Sequence, residues 1–505
     1  MSAVATLPHI EIDLDGDALS SKTLGALEEV RVQHKLSQPS VCELTFVLGR
    51  DSLPELQNLN AGSSVKLTLS STESLFDGEI TALEYGYNGN HDRTVRVRCY
   101  DKLHRLRKRQ PVRVHVQATP ADLARQMSED IGLTVEADVD GPVTPRLIQH
   151  RQSDLDLLVR TAQRFGLFLC LRDDVLHLIN LEGIGESIDL ELGKSLLEAR
   201  LEVNAEPACR SVVAKGWDTC RTEPHEARAS SANIGREVDA EAPPDRFGIE
   251  GARTLADELL PNDSHAAAVA QAELDLRASR EVTLWGIAEG DTDLLAGCRV
   301  DVSGVAADFS GSYVLSSVTH LINRRTGFIS EISSAPPAIE KRPTSATAIW
   351  GTVTNVDDPD RLGRVRVSLP SLGEIETDWL GVMSAGAGSG KGFVILPDVG
   401  DDVLVLCVGG DLAQGIVLGG LYGTKNPGDY GVEGTSIRRF ILGTPGGQKI
   451  RLDDTGQSIR VENKGGSFLE LSPEKTVLHS VVDLQIEAPG RAVAIAGKTI
   501  DFRQA

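Results

Sequence analysis

The sequence predicts a mainly β protein interrupted by one α/β segment. Three observations carry that prediction. Apolar and polar residues alternate with period 2 in many short runs, the mark of half-buried strands. Glycine is frequent, at 49 residues, which suits many turns, and aromatics are only 4%, so the cores must be built from Val, Leu, Ile and Ala. From residue 448 onward a short motif of paired apolar residues repeats. With 505 residues, 41% of them hydrophobic, the chain can bury a core in each of about three to five domains.

Residues 8–100 contain "HIEIDLDG", "SVCELTFVLG", "SSVKLTLSS" and "TVRVRCYD", four alternating runs separated by turn signals. Strands at this spacing predict a sandwich or barrel over 1–110. The period then changes. In "TPADLARQMSEDIGL", Thr119 caps a helix, Pro120 takes its first position and Asp122 completes a capping box. In "QSDLDLLVRTAQRFG", Ser153 caps a second helix, Leu155, Leu158, Ala162 and Phe165 share a face, and Gly166 ends it. A hairpin turning at Arg172-Asp173-Asp174 closes this α/β insertion, 111–190.

Strands resume near 196–216. Residues 216–248 are polar and weakly periodic and read as a long exposed excursion. An Ala-rich helix follows over 264–281, and alternation returns in "CRVDVSGV", "GSYVLSSVTHL" and "GFISEIS", giving a second β block, 191–340. Three prolines in 334–347 mark a linker. Residues 348–425 hold "AIWGTVTNV", "GRVRVSLP", "DWLGVM", "GFVILP", "DDVLVLCV" and "GIVLGGLYG". Five to six strands in about 75 residues fit a closed OB-type barrel.

The C-terminal block, 440–505, carries apolar pairs with one residue between: Ile450/Leu452, Ile459/Val461, Leu469/Leu471, Leu484/Ile486, Val493/Ile495 and Ile500/Phe502. One such strip cannot bury its apolar stripe alone. A step of about 8 residues supplies roughly one face, too little for a single-chain solenoid to close three faces. Three chains would close a triangular prism, so the repeat predicts a homotrimer. One step is irregular. It offers Val477 and then His479 where an apolar residue is due, and a one-residue slip turning His479 outward is favoured over three imidazoles on the trimer axis. Ile500 and Phe502 form a last apolar layer with no polar cap after it, which calls for a separate capping protein.

Composition excludes several functions. A net charge of −22 disfavours binding nucleic acid or an anionic membrane over a broad face. Residues 93–113 are a basic exception, open to two readings: a docking face for an acidic partner, or a solvated strand face with a basic turn. The seven cysteines are scattered and lack any CxxC, which argues for reduced thiols folded in the cytoplasm, with neither a disulfide framework nor a zinc site. The N-terminus lacks a basic start and an apolar run, so no signal peptide is expected, and no apolar run reaches about 18 residues, so no spanning helix is expected.

Enzyme motifs fail on inspection. "SAGAGSGKGF", 384–393, resembles a phosphate-binding loop, but Ala385 replaces its first glycine, Gly392 replaces its hydroxyl residue, and "FVILP" after it favours a strand or turn over a helix. It reads as a surface loop between two strands. Ser389 is flanked by Ala387 and Lys391, so it is no nucleophile elbow. "HEARA", 225–229, has Ala229 where a zinc protease needs histidine, in a stretch that reads as a polar loop. No catalytic residue, cofactor or metal site is assigned.

Together these segments resemble the spike family of contractile injection systems: the valine–glycine repeat spike proteins of type VI secretion, phage late control protein D, and the spikes of extracellular phage-tail-like particles. "LFDGEITALE" (75–84) and "YDKLHRLRK" (100–108) resemble the first hub barrel. "QSDLDLLVRTAQRFGLFL" (152–169) is similar to the family's helix before its hairpin, and "LAGCRVDVSG" and "GSYVLSSVTH" (295–320) to the second hub barrel. "GTVTNVDDPDRLGRVRVSLP" (351–370) and the segments up to "GIVLGGLYG" resemble the spike OB domain. The resemblance implies two related hub barrels per chain, so that three chains adapt a threefold spike to a sixfold tube. It also implies tube and baseplate partners at the hub, a PAAR-like tip protein docked on Ile500 and Phe502, cytoplasmic assembly, and no catalysis. The short repeat, with no effector domain after it, favours a compact particle spike. A trimeric receptor-binding tail protein and a cell-wall hydrolase on a β scaffold are the rival readings.

Overall fold

The computed structural model describes residues 8–48, 54–70, 73–88, 93–244, 248, 251–339 and 346–503. The N-terminal residues read for a signal peptide lie in part, and the middle of the linker (340–345) lies wholly, outside the described residues. The chain divides into two units, Met1–Gly420 and Leu421–Ala505.

The first unit is organised by an eleven-stranded sheet. From edge to edge it runs Leu196–Val203, Val282–Glu289, Gly327–Ser333, Ser317–Asn323, Leu27–Lys35, Val41–Leu48, Arg93–Tyr100, Glu73–Tyr87, Ser64–Leu69, Ile10–Leu14 and Asp17–Ala18. The two β blocks therefore share one continuous sheet, joined where Ser317–Asn323 pairs antiparallel with Leu27–Lys35. Each block keeps its own core. Val32, Leu44, Phe46, Leu67 and Val97 fill the first, and Val282, Leu284, Val300, Tyr313 and Ile332 the second. Gly78, in "LFDGEI", is required by close approach, since a Cβ there would overlap the Tyr100 carbonyl oxygen.

Two histidines sit at the seam between the blocks. His320 is fully buried and His34 half-buried, with ring centroids 5.6 Å apart, and each Nδ1 meets a serine hydroxyl, Ser40 at 3.0 Å and Ser330 at 2.9 Å. Burial, reinforced by the Arg172 charge, lowers His34 to about 4; burial, reinforced by His34, lowers His320 to about 3.

The insertion forms as its caps dictate. Helix Pro120–Glu129 starts at Thr119 with a complete capping box to Asp122, and helix Asp154–Arg164 starts at Ser153 with another to Asp156. Phe168–Arg172 and Val175–Ile179 make the expected hairpin, in which Asp173 and Asp174 both take positive φ, as a two-residue turn of this hand requires.

The predicted polar excursion is corrected. Glu223–Ala229 is a strand, paired with Ser211–Asp218, which in turn pairs with Ala252–Leu259. Helix Asp263–Glu281 packs on this sheet. The strand was hidden because the residues it buries against the helix are small: Ala227 and Ala229 replace the Val and Ile that mark most strands. "HEARA" therefore lies on a strand, where His225 Nδ1 meets Asp263 Oδ1 at 2.8 Å.

The OB segment is a six-stranded sheet, in the order Ile375–Glu376, Arg366–Leu369, Thr347–Asn355, Asp402–Cys407, Gly415–Leu421, Gly381–Val382. Reciprocal backbone bonds between Val365 and Leu380 close it. Val353, Val365, Val367, Val403 and Val405 fill its core, and Ile148 and Val114, from the paired strands Thr144–Gln149 and Arg113–Ala118, join it. The expected strand "GFVILP" is absent among the described residues. Phe393, Val394 and Ile395 instead lie in irregular, exposed backbone.

The second unit holds a five-stranded antiparallel meander: Arg439–Gly443, Lys449–Asp453, Ser458–Glu462, Phe468–Leu471 and Thr476–His479.

Candidate functional site: the open apolar face of the C-terminal sheet

Register defines the two faces of the meander. Ile450 opposes Val461 and Leu452 opposes Ile459; Ile459 opposes Leu471 and Val461 opposes Leu469. Directly opposed residues share a face, so the predicted pairs form one continuous apolar strip. The strip also includes a rung that the sequence reading missed, Phe440 opposite Leu452 and Leu442 opposite Ile450. The alternation in "RFILG" is one strand long and lies ahead of the repeat, so it offered little signal. Among the described residues of its unit nothing covers the strip: Ile459 and Val461 are each 44% exposed and Leu469 40%.

The irregular step resolves as the slip. Leu478 opposes Leu469 and continues the apolar strip, Thr476 opposes Leu471 on the same face, and Val477 and His479 fall on the other face. There His479 stacks on Phe468, centroids 4.9 Å apart, and the Arg460 guanidinium covers the same ring at 3.8 Å. Arg460 also reaches Glu462 at 2.7 Å and Glu470 at 2.8 Å, and its hydrogen bond holds the Glu462 carboxyl below its usual range. One face is thus apolar and open, the other charged and internally paired.

Beyond His479 the expected ladder does not continue among the described residues. Leu484, Ile486, Val493, Ile495, Ile500 and Phe502 are at least half exposed or nearly so, in backbone without strand pairing. A lone chain has no strand to pair with there, so the alternation cannot express itself as sheet.

Three other sequence features are placed. Loop 384–393 lies between strands Gly381–Val382 and Asp402–Cys407, as expected. It is pinned by reciprocal backbone bonds between Gly388 and Lys391, and opens no helix. The basic stretch is largely neutralised within the chain. Arg96 pairs with Glu84, Arg98 with Glu43, Lys102 with Asp174, Arg105 with Glu79, and Arg109 and Arg113 with the fully buried Asp154. That favours a solvated strand face over a docking face for an acidic partner. The OB loop "DDPDRLGRVRV" is knotted on Asp358, which accepts from the Asp360 and Leu362 backbone at 3.1 and 2.9 Å and from Arg364 Nε and Nη2 at 3.0 and 2.6 Å. The Arg364 hydrogen bonds hold the Asp358 carboxyl well below the usual carboxylate range. Among the described residues no group of three or more His, Cys, Asp or Glu side chains could hold a metal ion, and no helix is long and apolar enough to cross a membrane.

A family model described as the Alg8 N-terminal domain matches residues 5–324, well over half of the chain. The chain belongs to the Alg8 N-terminal domain family. A second model, the type VI secretion system/phage-baseplate injector OB domain, matches residues 349–422 of this Alg8-family chain. The type VI secretion system spike protein VgrG4b of Pseudomonas aeruginosa is 35% identical over 114 residues, covering 21% of the chain and 13% of that relative. The match therefore spans a small part of the relative's length. Among solved structures, the Escherichia coli protein c3393, described as a type VI secretion component similar to the bacteriophage T4 tail proteins gp27 and gp5, superposes with a TM-score of 0.52 at 14% identity, covering 81% of this chain and 99% of its own. A chain of a Francisella PdpA–VgrG complex gives 0.57 at 10% identity, covering 94% of this chain and 80% of its own. The Alg8-family chain thus has a mainly β fold that includes an OB domain, and it resembles VgrG-like spike proteins and phage-baseplate components.

Proposed function

We propose that the chain is the homotrimeric hub-and-spike of a contractile injection system. The observation that carries the reading is the open apolar strip from Phe440 to Leu478 on a sheet whose other face is charged and paired. Three such sheets with their strips turned inward would form a β-prism needle cored by Ile450, Leu452, Ile459, Val461, Leu469 and Leu471. Leu484, Ile486, Val493 and Ile495 would continue the core once neighbouring chains supply strands to pair with.

The hub blocks, 1–110 and 191–340, would give six similar units per trimer, matching a sixfold tube and baseplate. The insertion (111–190) and the OB domain (348–425) would link hub to needle. Ile500 and Phe502 would seat a PAAR-like tip protein. The needle would pierce the target envelope mechanically, without catalysis, after assembly in the cytoplasm and incorporation into an injection particle. Support for a partnered assembly comes from the relative that was solved as a PdpA–VgrG complex.

Native mass and negative-stain imaging of the purified chain test the core of this reading. A trimer with a blunt head and thin needle is expected, and a monomer at micromolar concentration overturns it. Deleting residues 499–505 should abolish co-purification of the tip protein and leave the trimer formed. Wild-type tip stoichiometry after the deletion would place docking elsewhere.

A further inference from the structure

Cys42 and Cys99 are far apart in sequence, yet the ladder between Val41–Leu48 and Arg93–Tyr100 sets them directly opposite each other. The row continues to Val32 on one side and Ile80 on the other, so all four side chains share the core face of the sheet. Neither cysteine has exposed surface, and both thiols are free in the structure. Opposed residues of an antiparallel ladder have Cα atoms about 4.5–5.5 Å apart, inside the range of roughly 4.4–6.8 Å that a disulfide bridges.

We infer that Cys42 and Cys99 are a modification site, a cross-strand disulfide formed when the chain meets a small-molecule disulfide such as oxidised glutathione. One cysteine thiolate attacks the glutathione disulfide, forming a mixed disulfide and releasing one glutathione thiolate. The second cysteine thiolate then attacks the protein sulfur of that mixed disulfide and releases the second glutathione. Both protein thiol protons end on the two glutathione thiols, so two cysteines are oxidised and one glutathione disulfide is reduced.

Burial pushes Cys99 up to about 12 and raises Cys42 well above its ordinary value, with the neighbouring Cys99 sulfur adding to the rise. Thiols so buried and so little ionised react slowly in the closed sheet. Oxidation therefore proceeds while the ladder is open, during folding or a local opening. The closed loop would span strands Ser64–Leu69 and Glu73–Tyr87 and staple the middle of the eleven-stranded sheet. Sequence spacing hid the pair, since only the register brings the two residues together.

The test is peptide mapping of the full chain after refolding in a glutathione redox buffer, beside a sample refolded in reductant. The seven alkylatable thiols should fall to five in the oxidised sample. Digestion should yield a peptide pair linked through Cys42 and Cys99, and the oxidised chain should unfold at a higher temperature. Cys99→Ser should abolish the link. Seven persistent thiols in the wild-type chain, or a link joining another pair such as Cys170 and Cys298, overturns the inference. The wild-type map alone decides if the variant does not fold.

Discussion

Strands Ser64–Leu69 and Ser458–Glu462 follow the same rule and meet different ends. "SVKLTL" and "SIRVE" both put an apolar side chain at every second position. In the first, Val65 and Leu67 are 0% exposed; in the second, Ile459 and Val461 are each 44% exposed. The first strip is covered by layers of its own chain, which join it in one core. The second has one sheet and, among the described residues, nothing of its own unit above it. Period-2 alternation specifies that a face will be buried, but not which chain buries it. That information lies in the count of layers the chain can supply.

The largest effect should come from charging the open strip. Leu469→Asp with Leu471→Asp would place two carboxylates per chain in the proposed trimer core, each costing several kcal/mol when desolvated unpaired. Sedimentation velocity should show monomers with native hub strands. Leu67→Asp, at the equivalent place in a closed core, should instead unfold the first unit at any concentration, seen as lost far-UV signal. A stable trimer for the double variant would erase the distinction drawn between the two strips.

Asp358→Ala probes what holds the OB loop inside the closed unit. It leaves Arg364, 7% exposed at its side chain, without its main partner. Breaking a buried ion pair from one side costs about 3–5 kcal/mol. The expected outcome is a lower unfolding midpoint and faster amide exchange at Asp360, Leu362 and Arg364, with native mass unchanged.

A closed core can also enclose titratable groups, at a cost the open strip avoids. His34 and His320 are neutral where they lie, with proton affinities lowered to about 4 and about 3 from an ordinary 6.5. The unfolded chain therefore binds more protons than the folded one below about pH 6.5. Stability should fall with acid through that window, by at most about 1.4 kcal/mol per pH unit for each histidine. Asp101 acts with the opposite sign, because burial raises it to about 6 and stability gains as pH drops below that value. The double variant His34→Gln, His320→Gln keeps Asp101 and should flatten the acid limb of denaturation. An acid limb as steep as wild type would show that the seam histidines are not its source.

Much of this was legible in the sequence, for local reasons. Thr119–Asp122 and Ser153–Asp156 announce their helices through caps that need nothing beyond one turn of chain. The OB strands and the apolar pairs of the meander follow from alternation. What stayed hidden depends on distant partners. Glu223–Ala229 buries alanines whose worth depends on the helix above them. The joining of the two β blocks rests on the pairing of Leu27–Lys35 with Ser317–Asn323, which no local pattern encodes. Phe393–Ile395 looked like a strand because its residues favour one, but a strand also needs an edge to pair with. The basic stretch was open to two readings, a docking face or a solvated strand face, because the acidic partners that decide between them lie many residues away.

The smallest expected effect tests the loop that most resembled a catalytic motif. Lys391 is exposed, and its part in the loop is made by the backbone: its N–H donates to the Gly388 carbonyl at 3.1 Å and its carbonyl accepts from Gly388 N–H at 3.2 Å. Gly390 between them takes a positive φ of 67°, which closes the turn without a helix to present N–H groups to a phosphate. Replacing the side chain leaves both bonds in place, so Lys391→Ala should change stability by less than about 0.5 kcal/mol, the usual range for exposed sites. Assembly should be unchanged, and titration calorimetry should detect no ATP binding in either protein. A saturable isotherm at micromolar ATP, lost in Lys391→Ala, would mean that the loop closes around phosphate in a form other than this hairpin, and that the OB barrel has a site as well as a scaffold role.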